Sequence, residues 1–346
     1  MQFMRSQFMR LTLLLLLLLA GPAGAQPPKI GVLDFYGLRK IPERQVRQTM
    51  GVKEGDPLPP SKGDLEEKLD KLSGVIESHV EAICCDQGKI VLYVGIEERG
   101  APHFEIREPP EGDEKLPSEI TGAYGRFLEA VEKAGRRGNT GEDFTQGYSR
   151  IADLSARAIQ DMFPVMAREH FRELRTVVRN SDDEQQRATA AYVIAYAPDR
   201  TAVVGELQFA LRDADPGVRA NATRGLKALA VKATLDPSAG IKIEPTWFIE
   251  MLNSLSWSDR SRAMEVLEIL TDKRDPPVLD QLRERALPAL ADMARWKTLA
   301  HALPAYILLG RAAGIPEERI QESWSSGDRE PLIGEAMKSQ TKLSTR

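Results

Sequence analysis

Two cysteines and four histidines are the residues best suited to metal or redox chemistry in this 346-residue chain. Their spacing favours neither. Cys84 and Cys85 are adjacent, whereas a dithiol redox pair favours two intervening residues. Neighbouring residues on a strand face opposite ways, so a bond between them would be strained. One thiol is expected inside the sheet and the other on its outer face or under the neighbouring domain, with an intermolecular disulfide as the lesser alternative. His79, His103, His170 and His301 lie far from one another, and only His79 is near the cysteines, in a pattern that matches no metal motif. His170-Phe171-Arg172-Glu173 is not the His-Glu-x-x-His of zinc proteases. Neither a Gly-x-Ser-x-Gly elbow nor a phosphate-binding glycine loop occurs. Carboxylates are plentiful, and a pair brought together from distant segments would leave no trace. No catalytic residue, metal ligand or cofactor is assigned, and the chain is read as non-enzymatic.

The spacing that does recur belongs to aspartate, arginine and small apolar residues. In Asp215-Pro216-Gly217-Val218-Arg219, Asp215 suits a helix N-cap and Pro216 the first helical position, where a missing N–H costs nothing. Ala222, Gly225, Leu226 and Leu229 then fall on one helical face. Upstream, Asp183 is the cap, Arg187 matches Arg219, and Ala190, Val193, Ile194 and Ala197 repeat the face. Downstream, Ser256 and Arg260 precede Ala263, Val266, Leu267 and Leu270. Arg187, Arg219 and Arg260 are separated by 32 and 41 residues. In a fourth, degraded copy Ala302, Ala305, Tyr306 and Leu309 keep the face, but Leu299 replaces the arginine. A unit recurring at such a period signals stacked helical hairpins. Apolar runs supply the second helices: Val203 to Leu211, Trp247 to Leu255, and Leu279 to Met293, which Pro288 should kink.

These residues resemble HEAT repeats, armadillo-like hairpins of an α-solenoid. The resemblance spans about residues 170–315 and is most specific at 213–229. It implies that the aspartates and arginines of successive first helices bond along the stack. Asp183, Arg187, Asp215, Arg219, Ser256 and Arg260 would form that ladder, with serine interrupting it at 256. A structural role is therefore expected of them.

The N-terminus carries a second signal. Arg5 and Arg10, the apolar run Leu11–Ala20 and the Ala-x-Ala site Ala23-Gly24-Ala25 read as a secretory signal peptide, 1–25, cleaved before Gln26. The run has about half the ~20 residues of a membrane span, so none is expected in the mature chain. Removing the two arginines takes the formal charge from −4 to −6. A mildly acidic chain without basic runs is a poor nucleic-acid partner.

Residues 28–98 read as a small α/β unit: strand Ile30–Tyr36, helix Pro42–Met50, helix Asp64–Ser73, and strands His79–Cys85 and Lys89–Glu97 across Asp86-Gln87-Gly88. Ile90, Leu92, Val94 and Ile96 alternate as for a sheet with one buried face. The β-α-α-β-β order, Gly37 after the first strand and Val52-Lys53-Glu54-Gly55-Asp56-Pro57-Leu58 resemble a POTRA domain. That resemblance implies work at a cell envelope and binding by strand addition at a sheet edge, here Val80–Cys84 with Val80, Ala82 and Cys84 outermost.

Residues 99–117 read as a Pro-rich linker, 118–180 as a helical region leading into the repeats, 181–324 as the repeats and 325–346 as a polar tail. Within 118–180, Ile151, Leu154, Ala158 and Met162 are expected to pack as the first layer. The four tryptophans, Trp247, Trp257, Trp296 and Trp324, all lie late in the chain. Trp247 and Trp296 are candidate anchors for a partner, against the plainer reading that they fill the core. The fold class is thus multidomain and mainly α, a small α/β domain followed by a HEAT-like solenoid. The expected function is a periplasmic or secreted scaffold for another cell-envelope protein. The alternatives are an accessory or lyase-like ligand-binding subunit, and a self-assembling envelope structural protein.

Overall fold

The computed structural model describes residues 28–86 and 88–341. The expected leader, its cleavage site, Gln87 and residues 342–346 lie outside the described residues. The protein is mainly helical, with a small three-stranded sheet near the N-terminus.

The sheet comprises β1 (Ile30–Tyr36), β2 (Val75–Asp86) and β3 (Lys89–Glu98), in the order β1-β3-β2. Central β3 runs parallel to β1 and antiparallel to β2. Between β1 and β2 come α1 (Glu43–Met50) and α2 (Gly63–Asp70). Gly37 ends β1 at φ 83°, where a Cβ would lie 2.1 Å from the Ile96 carbonyl oxygen, so only glycine fits. Val46, Met50, Leu65 and Leu69 of the two helices close over Leu33, Leu92, Val94 and Ile96.

The sheet's other face departs from expectation. The alternation in β3 predicts one buried face, yet Val91 and Tyr93 are buried too and belong, with Tyr36, to the core of the helical part. The sheet is a middle layer between its own two helices and the long helical region. Gly95 permits the close approach: a Cβ there would sit 2.6 Å from both the Leu255 carbonyl oxygen and the Tyr36 ring.

Residues 99–117 contain no helix or strand but are fastened along the helices. The Arg107, Gly112 and Leu116 N–H groups donate to the Arg212 and Asn180 carbonyls and to Gln186 Oε1, at 2.8, 2.8 and 2.9 Å. Phe104 and Leu116 are buried.

The helical part begins with α3 (Ser118–Arg136). A two-residue pairing of β4 (Glu142–Asp143) with β5 (Arg150–Ile151) follows. Then come α4 (Leu154–Gln160), α5 (Phe163–Glu169), α6 (Phe171–Asn180), α7 (Glu184–Ile194), α8 (Arg200–Ala210) and α9 (Pro216–Leu235). The chain continues through α10 (Thr246–Met251), α11 (Trp257–Leu270), α12 (Pro276–Arg285), α13 (Leu287–Ala294), α14 (Leu299–Ala312), α15 (Glu317–Ser326) and α16 (Glu330–Thr341). Helix α7 packs on α9, α9 on α11, α11 on α14 and α14 on α16. The expected faces supply these contacts: Ala190, Val193, Ile194, Ala222, Leu226, Leu229, Ala263, Val266, Leu267, Ala302, Ala305, Tyr306 and Leu309 are all buried. Asp183, Asp215 and Ser256 cap α7, α9 and α11 through their side chains. Gly225 lets α9 approach its neighbours, since a Cβ there would lie 2.6 Å from Leu207 Cδ1.

Three local expectations need correction. Of Ile151, Leu154, Ala158 and Met162, only Ile151 is buried, and Leu154 is 76% exposed. Asp153 caps a fresh helix at Leu154, which resets the helical phase and turns Ala156 and Gln160 inward. The run 279–293 is two helices rather than one kinked helix, separated at Ala286 (φ −132°, ψ 2°), with Pro288 placed in the first turn of α13. The supposed polar tail contains α16, whose Leu332, Ile333 and Ala336 are buried against α13 and α14.

Candidate functional site

Three buried arginines share one local design. Arg187 Nη1 donates to the Ser181 and Asp182 carbonyls at 2.9 and 3.1 Å. Arg219 Nη1 donates to those of Asp213 and Ala214 at 2.8 and 3.0 Å. Arg260 Nε donates to that of Ser254 at 2.6 Å. In each case an arginine one turn into a helix reaches back to the loop five or six residues earlier. In each loop the same position also turns the chain: the side chains of Ser181, Asp213 and Ser254 accept from the N–H of cap residues Asp183, Asp215 and Ser256 at 3.4, 2.9 and 3.1 Å.

Arginine and carboxylate do bond between successive helices, but the acids are not the expected ones. Arg187 pairs with Asp213 at 3.0 Å, and Arg219 with Asp259 at 2.8 Å. All four side chains are buried. Asp183 and Asp215 spend their carboxylates on capping; Asp183 also meets Lys115 at the surface, at 3.2 Å. A cap must point along its own helix axis and cannot also face the preceding layer. Where Ser254 replaces Asp213, the acid comes instead from the first turn of α11, with Ser254 Oγ donating to Asp259 Oδ2 at 3.0 Å.

At Arg260 the series reaches the α/β unit. Its guanidinium is buried over the Tyr36 ring, 4.4 Å from the centroid. Nη1 has no hydrogen-bond partner among the described residues. Burial pulls this guanidinium's pKa down to about 10. Tyr36 in turn donates to the Leu255 carbonyl at 2.6 Å. Around this point Trp296 packs between Tyr36 and Tyr93, with centroids at 5.8 and 4.7 Å, and Trp257 stacks on Tyr93 at 5.2 Å. Tyr93 Oη lies 2.7 Å from His301 Nδ1.

Polar contacts surround the aromatic centre. Glu81 on β2 accepts from the hydroxyls of Ser256 and Ser258, both at 2.7 Å, and faces His79 Nε2 at 3.5 Å. Burial raises its pKa, but the hydrogen bonds from His79, Ser256 and Ser258 outweigh this and hold it down to about 2. On the opposite side, Lys297 Nζ reaches the Leu33 carbonyl at 2.9 Å and Glu54 at 2.7 Å, and Arg39 pairs with Asp292 at 2.7 Å.

The candidate partner-binding residues fare unevenly. Trp296 is 1% exposed and fills the junction, so it offers no surface to a partner. Trp247 is half-buried beneath the Arg212 guanidinium at 4.3 Å. Strand β2 lies at the sheet edge, but Val80 is fully buried and its outward N–H donates to Glu66 Oε1 at 2.7 Å. Ala82 is half-buried. Cys84 is exposed and disulfide-bonded, which corrects the expectation of a free thiol there; the side chain of Cys85 lies outside the described residues.

The longest run of adjoining cavities lies elsewhere, along α9. Three cavities of about 390, 380 and 540 Å³ follow one another there. The first two share Ala220 and Asn221, and the last two share Lys227 and Glu265, so they form one furrow bordered by α3, α7, α11, Arg311 of α14 and the segment around Phe144. No group of acidic, histidine or cysteine side chains suited to a metal ion occurs among the described residues, and none of their helices is long and apolar enough to cross a membrane. No family model matches this chain, and no curated protein matches it significantly.

Sequence reasoning missed Asp213, Asp259, Tyr36, Tyr93 and Glu81. Asp213 had a signal, because it stands six residues before Arg219 as Ser181 stands before Arg187. The others act across 175 or more residues, or from a position with no counterpart in the neighbouring copies.

Proposed function

We propose that this protein is an exported, non-catalytic scaffold. A HEAT-like α-solenoid would hold another protein of the cell envelope, with a POTRA-like domain docked against it. The observation that carries this reading is the furrow along α9. It is long, shallow and built from the exposed sides of several successive helices, as a surface for holding a chain would be. A ligand-binding or lyase-like subunit would instead favour one enclosed polar pocket. The buried pairs Arg187–Asp213 and Arg219–Asp259 support the same reading, because they tie successive helices together and keep the furrow walls in fixed register.

The test is affinity capture from a cell-envelope extract with the chain from Gln26 to Arg346, followed by reconstitution of the captured protein at known concentration. The expected outcome is a stoichiometric complex with a measurable Kd. A chain that returns alone, carrying a small molecule visible by mass or absorbance, overturns the scaffold in favour of the ligand-binding subunit. A chain that only forms concentration-dependent oligomers favours the self-assembling alternative.

A further inference from the structure

The furrow is electrically polarised. Lys227 and Glu265 pair at 2.8 Å and form the shared wall between its 380 and 540 Å³ sections, so they cancel there. On the first side remain Arg224 and Arg262 against Glu142. Arg224 pairs with Glu142 at 2.8 Å. Arg262 is half-buried in the cavity wall and has neither an ion-pair nor a hydrogen-bond partner among the described residues. That side therefore has one cation in excess. On the second side remain Glu268 and Asp272 against Arg311. Arg311 pairs with Asp272 at 3.9 Å and is shared with Glu317 at 3.3 Å, outside the furrow. The Glu268 carboxylate has no hydrogen bond or ion pair among the described residues, and burial pushes its pKa up. That side therefore has an acid in excess. Val231, Ile269 and Leu235, the last 62% exposed, line this same second side, next to Glu268 and Asp272.

We infer that the furrow takes an extended peptide segment of the partner with acidic residues at one end and apolar and basic residues at the other. The acidic end lies over Arg262 and Arg224; on the second side apolar residues rest on Val231, Leu235 and Ile269, and basic residues meet Glu268 and Asp272 beside them. Arg224 to Leu235 is eleven residues of helix, roughly 17 Å at 1.5 Å per residue, which is about five residues of extended chain. Charge complementarity on both sides sets the register, and the apolar residues of the second side supply the contact area. This inference rests on the scaffold reading and assigns its binding surface.

The test uses the purified chain from Gln26 onward and the rhodamine-labelled peptide Glu-Glu-Leu-Leu-Lys-Lys, read by fluorescence anisotropy. The control is Leu-Glu-Lys-Glu-Lys-Leu, which has the same composition without polarity. The ordered peptide is expected to bind at least tenfold more tightly than the control. Arg262→Glu should abolish that preference and favour Lys-Lys-Leu-Leu-Lys-Lys over the original peptide, a reversal that loss of folding cannot produce. Leu235→Asp, at an exposed position, should weaken every peptide. Equal binding of ordered and scrambled peptides, or an unchanged preference in Arg262→Glu, overturns the inference. Capture of the envelope partner undiminished by Arg262→Glu and Leu235→Asp would also overturn it while leaving the scaffold reading standing. Order-dependent peptide binding with no captured partner would instead retain the furrow site and sink the scaffold.

Discussion

Arg219 and Arg260 hold equivalent places at the start of α9 and α11 and reach back to equivalent loops, yet they meet opposite surroundings. Arg219 faces Asp259 of the next helix and is charge-compensated in the interior. Arg260 faces the Tyr36 ring of the α/β unit, where attraction to the π-face replaces a carboxylate. The difference teaches that the local design fixes where the guanidinium points, while its energetic role depends on what the tertiary structure sets opposite it. A buried ion pair is costly to break singly, because the surviving charge is left uncompensated. A buried cation that never had its acid leaves no orphan charge when it is removed, only the Ser254 carbonyl without its donor.

The largest expected effect comes from breaking the compensated pair. Asp259→Ala leaves Arg219 buried without its acid and should cost about 3–5 kcal/mol in urea-induced unfolding. A loss below about 1 kcal/mol would mean that the pair is not an internal tie.

Next comes the close approach at the junction. Gly95→Ala inserts a Cβ 2.6 Å from the Leu255 carbonyl oxygen and the Tyr36 ring. Forcing the sheet off the helices should cost about 1–3 kcal/mol. Fluorescence of the junction residues Trp257 and Trp296 should shift at the same time. Unchanged emission would show that the two layers do not press together here.

Acid should act on the same junction through Glu81. Its folded pKa of about 2 lies below its ordinary value of 4.5, so it contributes stability that is fully present above 4.5 and is lost as pH falls toward 2. His79 is shifted the other way by its hydrogen bond to Glu81; its smaller contribution, at a side chain 41% exposed, is complete below 6.5 and declines as pH rises through its folded value. Thermal melts of Glu81→Gln between pH 2 and 5 should show a flatter acid limb than those of the native chain. Parallel limbs would remove Glu81 from the account.

The smallest effect tests the comparison directly. Arg260→Met keeps most of the volume and removes a buried cation that has no carboxylate partner, leaving only the Ser254 carbonyl without its donor, so the loss should be about 1 kcal/mol, well below that of Asp259→Ala. If it costs as much as Asp259→Ala, the two arginines are energetically alike and the contrast between them fails.

Much of the local structure was legible in the chain. The caps Asp183, Asp215 and Ser256, the buried faces they introduce, and the β-α-α-β-β order all follow from short-range rules, because a cap or a helical face is decided by residues within a turn or two. The face Ile151, Leu154, Ala158 and Met162 was misread because Asp153 starts a fresh helix inside it. Helix α16 was missed because its three buried residues, Leu332, Ile333 and Ala336, are few among polar neighbours.

By itself, the sequence determined that Arg187, Arg219 and Arg260 would turn inward at the same point of their helices. The tertiary structure alone decided that Arg219 and Arg260 face Asp259 and a tyrosine ring. It also decided that both sheet faces are buried, that Trp296 belongs to the junction rather than to a partner, and that the longest run of adjoining cavities follows α9. The reason is one of range. Helix phase and capping are set by bonds between near neighbours, whereas the partner of a buried charge is set by whichever distant segment packs over it, and Tyr36 and Arg260 are brought together across more than two hundred residues of chain.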